Sequence, residues 1–183
     1  MAMSHSMNRL IQIGNICIQW SALEYLYALA IWQLLHLDSE TGKIVTGGTD
    51  MQPRIKLALG LAKHLNAPRS VIKALEGARD AIRVEKLDER RNKAVHGVRF
   101  QGEESDSEAI LIEVHRGAGG RMRHEQTNTE LVAIGKELKA IHDQLLRQLK
   151  DAGVLATPTS KPARLIDRKT SVRTSGNESQ PAS

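Results

Sequence analysis

The chain is poor in aromatic residues and in cysteine. One Phe, two Trp and two Tyr occur among 183 residues, so a core must be built mainly from Leu, Ile, Val and Ala. This composition favours packed helices over a sandwich of aromatic-rich strands. The single cysteine, Cys17, has no partner for a disulfide within the chain.

The sequence also lacks a long uninterrupted apolar run. Residues 10–37 are strongly hydrophobic, but five polar side chains interrupt them: Gln12, Asn15, Gln19, Glu24 and Gln33. A membrane-spanning helix needs about 20 predominantly apolar residues. No basic segment followed by a short apolar run and a small-residue cleavage site is present either. We therefore expect a cytoplasmic protein with no membrane contact.

Positive charge is modest and unevenly spread. The formal charge is +5, but residues 154–183 hold five bases and two acids, which leaves only about +2 for residues 1–153. Any RNA binding by the folded part must therefore be local. Residues 154–183 are rich in Ser, Thr and Pro with few apolar residues, and we expect them to form a disordered basic tail. Residues 1–153 are predicted to form the domain.

Apolar residues recur at three- and four-residue steps in four segments, which indicates four helices. The first segment starts at Arg9 and has a second apolar face, and this face predicts cover by a subunit interface. A loop is predicted over residues 38–49. The third helix is predicted to run to Gly97, and the last opens with a capping box at Thr127–Glu130. The predicted helices cover about residues 9–37, 51–65, 68–96 and 128–152.

The period of the apolar pattern changes after Gly97. Short β-like runs, Val98–Phe100, Ala109–Val114 and Arg121–Arg123, alternate with Gly-rich and polar turns. They predict a small insertion over about residues 98–125, either a β-hairpin or a three-stranded flap. The predicted fold class is therefore all-α, an up-down four-helix bundle with this insertion between helices 3 and 4.

One segment carries the chemistry, the run Arg90-Arg91-Asn92-Lys93-Ala94-Val95-His96-Gly97. It places a permanent cation, a small amide and a titratable imidazole close together on a helix end. Arginine binds phosphate oxygens in a fixed fork, and histidine moves protons near neutral pH. Such a set meets the minimum needs of RNA cleavage without a metal.

Arg91, Asn92 and His96, at the end of the third of four predicted helices, resemble the motif of the HEPN superfamily. The segment Trp20–Glu24 in the first helix is also similar to first helices of that family. The resemblance covers roughly residues 9–151, with specificity only in the motif. It implies a metal-independent endoribonuclease, of toxin–antitoxin or phage-defence type, that acts on RNA as a homodimer with two motifs facing one cleft. An antitoxin protein is a possible partner, although Val98 stands where some family toxins carry Tyr.

Arg91 and His96 lie about 140° apart around an ideal helix, so they are not on the same face of it. Three explanations stay open: the Arg91 side chain swings round, the helix unwinds near Gly97, or a second subunit completes the site, which we favour. Asn92, four residues before His96, is expected to orient the imidazole or bind phosphate. Glu24, a carboxylate on an apolar helix, is expected either to position Arg91 or to lie at a partly exposed interface.

The same residues also have plainer interpretations. Arg91 could pair with Glu85, Asp88 or Glu89 on a solvated helix end, in a purely structural bundle or in a non-catalytic module that binds RNA or a partner protein. Basic side chains at Arg90, Lys93, Arg121 and Arg123 are weaker candidates for RNA contacts. The histidines show no metal-ligand spacing, and neither a metal nor a cofactor is expected.

Overall fold

The structure, a computed structural model, describes residues 5–96, 98–100, 109–116 and 120–155, with side chains over 7–96 and 126–155. This part of the chain is mostly helical. Its helices are α1 (His5–Leu34), α2 (Ser39–Thr46), α3 (Met51–His64), α4 (Arg69–Val84), α5 (Leu87–His96) and α6 (Asn128–Asp151). Its strands are β1 (Val98–Phe100), β2 (Ala109–Arg116) and β3 (Gly120–Thr127).

The helices form a bundle around one aliphatic core. Helix α1 packs against α6 and α3, and α4 packs against the same two helices. The core is mainly Leu, Ile and Ala, as the composition predicts, with three large aromatic side chains added from α1, namely Trp20, Tyr27 and Trp32. The Tyr27 hydroxyl donates a hydrogen bond to the Leu75 carbonyl at 3.1 Å, and burial raises the pKa of Tyr27. Among the described helices, none combines the length and the apolar character needed to cross a membrane.

The three strands form one antiparallel sheet in the order β1-β2-β3. Val98 lies opposite Glu113, and Ala109 lies opposite Thr127. Thr127 ends β3 and is also the N-cap of α6, so the sheet joins the helix without a linker. The capping box predicted for Thr127 and Glu130 is confirmed, because both of its hydrogen bonds are present.

The loop predicted for residues 38–49 is wrong in part, because α2 occupies most of it. The Asp38 carboxylate accepts hydrogen bonds from the backbone N–H groups of Glu40 and Thr41, which caps the helix. Hydrogen bonds with Thr41 hold the pKa of Asp38 below its ordinary value. Gly42, read from the sequence as a loop residue, instead lies against the Trp32 ring within the helix.

The single third helix predicted up to Gly97 is also wrong, because it breaks into α4 and α5. Lys86 adopts a left-handed conformation with φ 49° between them. The reason is the spacing of two buried residues. Ile82 and Leu87 are 1% and 0% exposed, and they are five residues apart. On a continuous helix they would point about 140° apart, so both could not face the core. The break turns Leu87 toward the core, so the motif lies on its own ten-residue helix.

Helix α1 begins at His5, four residues before the predicted start. The second apolar face predicted on α1, formed by Ile11, Ile18, Tyr25, Leu26 and Leu29, is exposed only in part. Ile11, Ile18 and Tyr25 are 48%, 66% and 53% exposed, whereas Leu26 lies in the core and Leu29 packs against it. The predicted tail lies outside the described residues from 156 onward, and so do parts of the predicted insertion, residues 101–108 and 117–119.

Gly42→Ala is expected to lower the free energy of unfolding by about 1–3 kcal/mol, the usual range for overpacking. The added methyl group would overlap the Trp32 ring, which is held by a 3.0 Å hydrogen bond from its Nε1 to Thr46 Oγ1. Urea denaturation gives the measurement. Gly60→Ala in α3 is the matched control, since its Cβ meets nothing within 4 Å, and it should stabilise by about 0.5–1 kcal/mol. Equal effects of the two changes would contradict this packing.

Candidate functional site

Helix α5 holds the motif against the bundle. Leu87 and Ala94, seven residues apart, are its buried side chains, and the helix contacts α1, α4 and α6. This packing leaves Arg91 half-buried and the side chains of Asn92 and His96 exposed. The catalytic candidates therefore sit at the surface of a helix that the core fixes in place.

Arg91 stacks on the aromatic side chain of Trp20 in α1. The Arg91 Cζ lies 5.5 Å from the centre of the Trp20 ring, within the range of a cation–π contact. Trp20 is only 4% exposed, and its Nε1 donates a hydrogen bond to Glu24 Oε1 at 3.0 Å. Trp20 is thus a core residue that also supports the guanidinium.

The role expected for Glu24 changes accordingly. Within the described part of the chain its carboxylate is bonded to Trp20 and is not paired with Arg91. Glu24 holds the indole on which the guanidinium lies, so its influence on Arg91 is indirect. The i, i+4 spacing of Trp20 and Glu24 on one helix was the available signal for this bond.

The three motif side chains meet within one chain. Arg91 Nη1 donates to Asn92 Oδ1 at 2.9 Å and lies 3.2 Å from His96 Nε2. The arginine side chain crosses the 140° that separates the two positions, which is the first of the three explanations left open by the sequence. A second subunit is therefore not needed to bring Arg91 and His96 of one chain together, and a site completed by a second subunit stays a prediction. Asn92 bonds the guanidinium, and no bond from it to the imidazole is formed among the described groups.

This contact fixes which nitrogen of the imidazole is engaged. Where Arg91 donates to Nε2, that nitrogen is an acceptor, and the ring proton of the neutral imidazole sits on Nδ1. A phosphate that displaces Nε2 from Arg91 would free the guanidinium for oxygen binding and the nitrogen for proton transfer. The resting contact is thus compatible with both roles.

The ion pairs expected for Arg91 with Glu85, Asp88 or Glu89 are not formed in the described structure. Asp88 instead accepts a hydrogen bond from Gln52 Nε2 at 3.3 Å. The neighbouring cation makes the helix-end ion pair: Arg90 forms a two-point salt bridge with Glu137 of α6.

The weaker RNA-binding candidates divide into three groups. The guanidinium of Arg90 is engaged by Glu137 and by the Glu85 carbonyl, so it cross-links α5 to α6. Lys93 is half-buried on α5. Arg121 and Arg123 lie in β3, but their side chains are outside the described residues.

A cleft of about 360 Å³ opens beside Arg91, between α1, the first turn of α3 and the first half of α5. Arg91 and Asn92 contribute to it, so it is continuous with the motif. The Nε atom of Arg91 is buried and has no hydrogen-bond partner within the described part. Sequence reasoning missed this cleft, because it depends on the break at Lys86 and on the packing of α3. Its remaining lining residues are Trp20, Glu24, Asp50, Met51, Gln52, Pro53 and Asp88.

Neither a metal-binding group among the described residues nor a similarity to a known protein indicates the function. Over the described ranges, no group of three or more His, Cys, Asp and Glu side chains is placed to hold a metal ion. No family model matches the chain, and neither a curated protein nor a solved structure matches it. The chemistry of the α5 site is therefore the basis on which a function is assigned.

Arg90 is expected to stabilise the fold through its ion pair with Glu137. In a double-mutant cycle with Arg90→Ala and Glu137→Ala, the coupling free energy of unfolding should be about 0.5–1 kcal/mol, because the pair is only partly exposed and bonded at two points. Urea denaturation of the four variants measures it. The pair Arg91→Ala and Glu137→Ala is the control and should be additive. A coupling energy of zero for Arg90 and Glu137 would refute the cross-link.

Proposed function

We propose that the protein is a HEPN-like, metal-independent endoribonuclease in which Arg91 and His96 are the catalytic residues and Asn92 assists. The observation that carries the proposal is the 3.2 Å contact between Arg91 Nη1 and His96 Nε2 beside an open cleft, with His96 exposed to solvent. A permanent cation beside a titratable ring is the arrangement that phosphoryl transfer without a metal requires.

The reaction is an internal transesterification of RNA. A base removes the proton of a ribose 2′-hydroxyl, the 2′-oxygen attacks the phosphorus, and the bond to the 5′-oxygen breaks. The leaving 5′-oxygen takes up a proton, so the products end in a 2′,3′-cyclic phosphate and a 5′-hydroxyl. His96 supplies proton transfer, Arg91 stabilises the charge on the phosphorane, and Asn92 holds the guanidinium at Nη1.

The reaction needs a base and an acid, whereas one chain supplies one imidazole at this site. A homodimer with two motifs in one groove would supply both. Ile11, Ile18 and Tyr25 recur at intervals of seven on α1, so they lie on one face, and all three are exposed. We propose this face as one contact of the dimer and an up-down order of four main helices as the framework. Ile18 and Trp20 lie about 160° apart around α1, so this contact lies away from the motif, and a shared groove needs a second contact between the chains.

The proposed setting is the cytoplasm, with RNA as substrate and a toxin or phage-defence role, opposed in the toxin case by an antitoxin protein. The competing proposal is a non-catalytic dimer that binds RNA or a partner protein. The observation in its favour is the Arg91–His96 contact itself, which engages the catalytic nitrogen in the absence of substrate. A measurement of RNA cleavage by the purified protein distinguishes the two proposals.

The purified protein is expected to cleave single-stranded RNA in EDTA, with products that end in 2′,3′-cyclic phosphate. Arg91→Ala and His96→Ala should each lower the cleavage rate by about 100-fold or more, the range associated with loss of an acid–base group or a charge-stabilising group. Gel analysis of end-labelled RNA measures the rate, and mass spectrometry identifies the ends.

The matched controls are Arg83→Ala and His64→Ala, which remove the same side chains from exposed positions on α4 and α3. They should cleave at the wild-type rate. Cleavage that survives in both motif variants would eliminate the nuclease proposal. RNA binding without turnover by the wild-type chain would support the non-catalytic module.

Ile18→Asp is expected to convert a two-chain particle into single chains, because it places a charge in the middle of the proposed contact face of α1. RNA cleavage should fall at least about 10-fold with it, since the second imidazole is lost. Light scattering after size-exclusion chromatography gives the mass. The control is Ile44→Asp, at an 81% exposed position on α2, which should stay dimeric and active. A wild-type chain that is monomeric at micromolar concentration would refute the dimer.

A further inference from the structure

The cleft beside Arg91 has a chemistry that phosphate binding alone does not explain. Three carboxylates, Glu24, Asp50 and Asp88, line it together with the amide side chains of Gln52 and Asn92. Carboxylates repel the RNA backbone, so the uncharged base of a bound nucleotide fits this lining better than its phosphate does. We propose that the cleft binds one guanine base of the RNA substrate, next to the phosphate held by Arg91 and His96. This inference rests on the proposed nuclease function.

Acceptor groups remain unused on all three carboxylates. Asp50 is the N-cap residue of α3, but its side chain makes no capping hydrogen bond. Asp88 accepts one bond from Gln52 through Oδ2, and Glu24 accepts one from Trp20 through Oε1. None of the three is paired with a cation in the described structure. Asp50 is exposed, and Glu24 and Asp88 are half-buried, so a ligand rich in N–H donors would replace water at acceptors that no protein group occupies in this part of the chain.

Guanine is the ribonucleotide base that suits such a lining. Its adjacent N1–H and N2–H₂ groups can donate to both oxygens of one carboxylate, and Asp50 has both oxygens available. The Asn92 Oδ1 accepts from Arg91, which leaves its N–H₂ group to donate to the O6 or N7 acceptors of the base. Adenine and cytosine offer a single amino group on that edge, and uracil offers a single imino group.

The dimensions and the position of the cleft agree with a base. Its volume of about 360 Å³ falls in the common range for small-ligand pockets, about 300–1,000 Å³. Arg91 and Asn92 belong both to the cleft and to the motif, so a base in the cleft lies beside the phosphate at His96. The carboxylates are not arranged to share one cation, because they form no metal-binding group among the described residues.

The test uses the wild-type protein and five-nucleotide RNAs with 2′-O-methyl riboses, which cannot be cleaved because the nucleophile is blocked. Each probe is fluorescein-labelled and has adenine at every position except the centre, which is guanine, inosine or adenine. Fluorescence anisotropy gives the dissociation constants. Guanine should bind about 10- to 100-fold more tightly than adenine. Inosine, which lacks the N2 amino group, should lie between them.

Asp50→Asn is the variant expected to abolish the guanine preference, because an amide replaces one acceptor oxygen with a donor. It keeps the size of the side chain, and a native circular dichroism spectrum confirms that it folds. Glu89→Gln is the matched control: it removes the same charge from an exposed position on α5 that does not line the cleft. It should retain the preference in full.

Equal affinity for the three probes would overturn the base pocket. So would equal loss of preference in Asp50→Asn and Glu89→Gln, which would indicate a general charge effect. Magnesium chloride titrated calorimetrically without RNA is the third arm; Mg²⁺ binding that Asp50→Asn removes, with no base preference, would make the cleft a cation site.

Cleavage-site mapping separates this inference from the function on which it rests. Cleavage next to guanine in the wild type, and at unselected sites in Asp50→Asn, supports both. Cleavage at unselected sites in both proteins leaves the nuclease standing and removes the base pocket. Guanine-selective binding without any cleavage removes the nuclease and leaves the pocket as a feature of an RNA-binding module.

Discussion

The stacking of the Arg91 guanidinium on the buried Trp20 ring is the contact on which the site depends. The ring is fixed on one side by the core and at its polar edge by Glu24. A guanidinium laid on a fixed plane loses much of its freedom, and its Nη1 then reaches both Asn92 and His96. Helix α1 thus orients a pair of side chains that α5 alone would hold on different faces.

The adjacent arginines show how packing divides two chemically identical residues. Arg90 and Arg91 point about 100° apart on α5. One meets Glu137 on α6 and becomes a cross-link, whereas the other meets an aromatic ring on α1 and keeps its Nε without a partner in the described structure. The cross-link holds α5 against the bundle, which in turn keeps Arg91 over its ring.

Local rules in the sequence were sufficient for the helical class of the described fold and for the capping box at Thr127, because both depend on neighbours a few residues apart. They failed where a distant side chain decides. Gly42 is read as a loop residue unless the Trp32 ring is known to lie against it. The break at Lys86 follows from the burial of Leu87, and burial is settled by the whole bundle. The motif residues could be chosen from the sequence, but the course of the Arg91 side chain required the position of Trp20.

The junction between β3 and α6 has a consequence for the order in which the molecule is made. Arg9, only 3% exposed, donates from Nη2 to the carbonyl of Gln126 at 2.6 Å, across 117 residues of chain. A ribosome delivers this charged side chain long before the Gln126 carbonyl, and burial of a cation requires groups that bond it. This contact can therefore form only after the junction of β3 and α6 has been synthesised. Closure of this end of the bundle is accordingly a late step in folding, as expected for a contact of such long range.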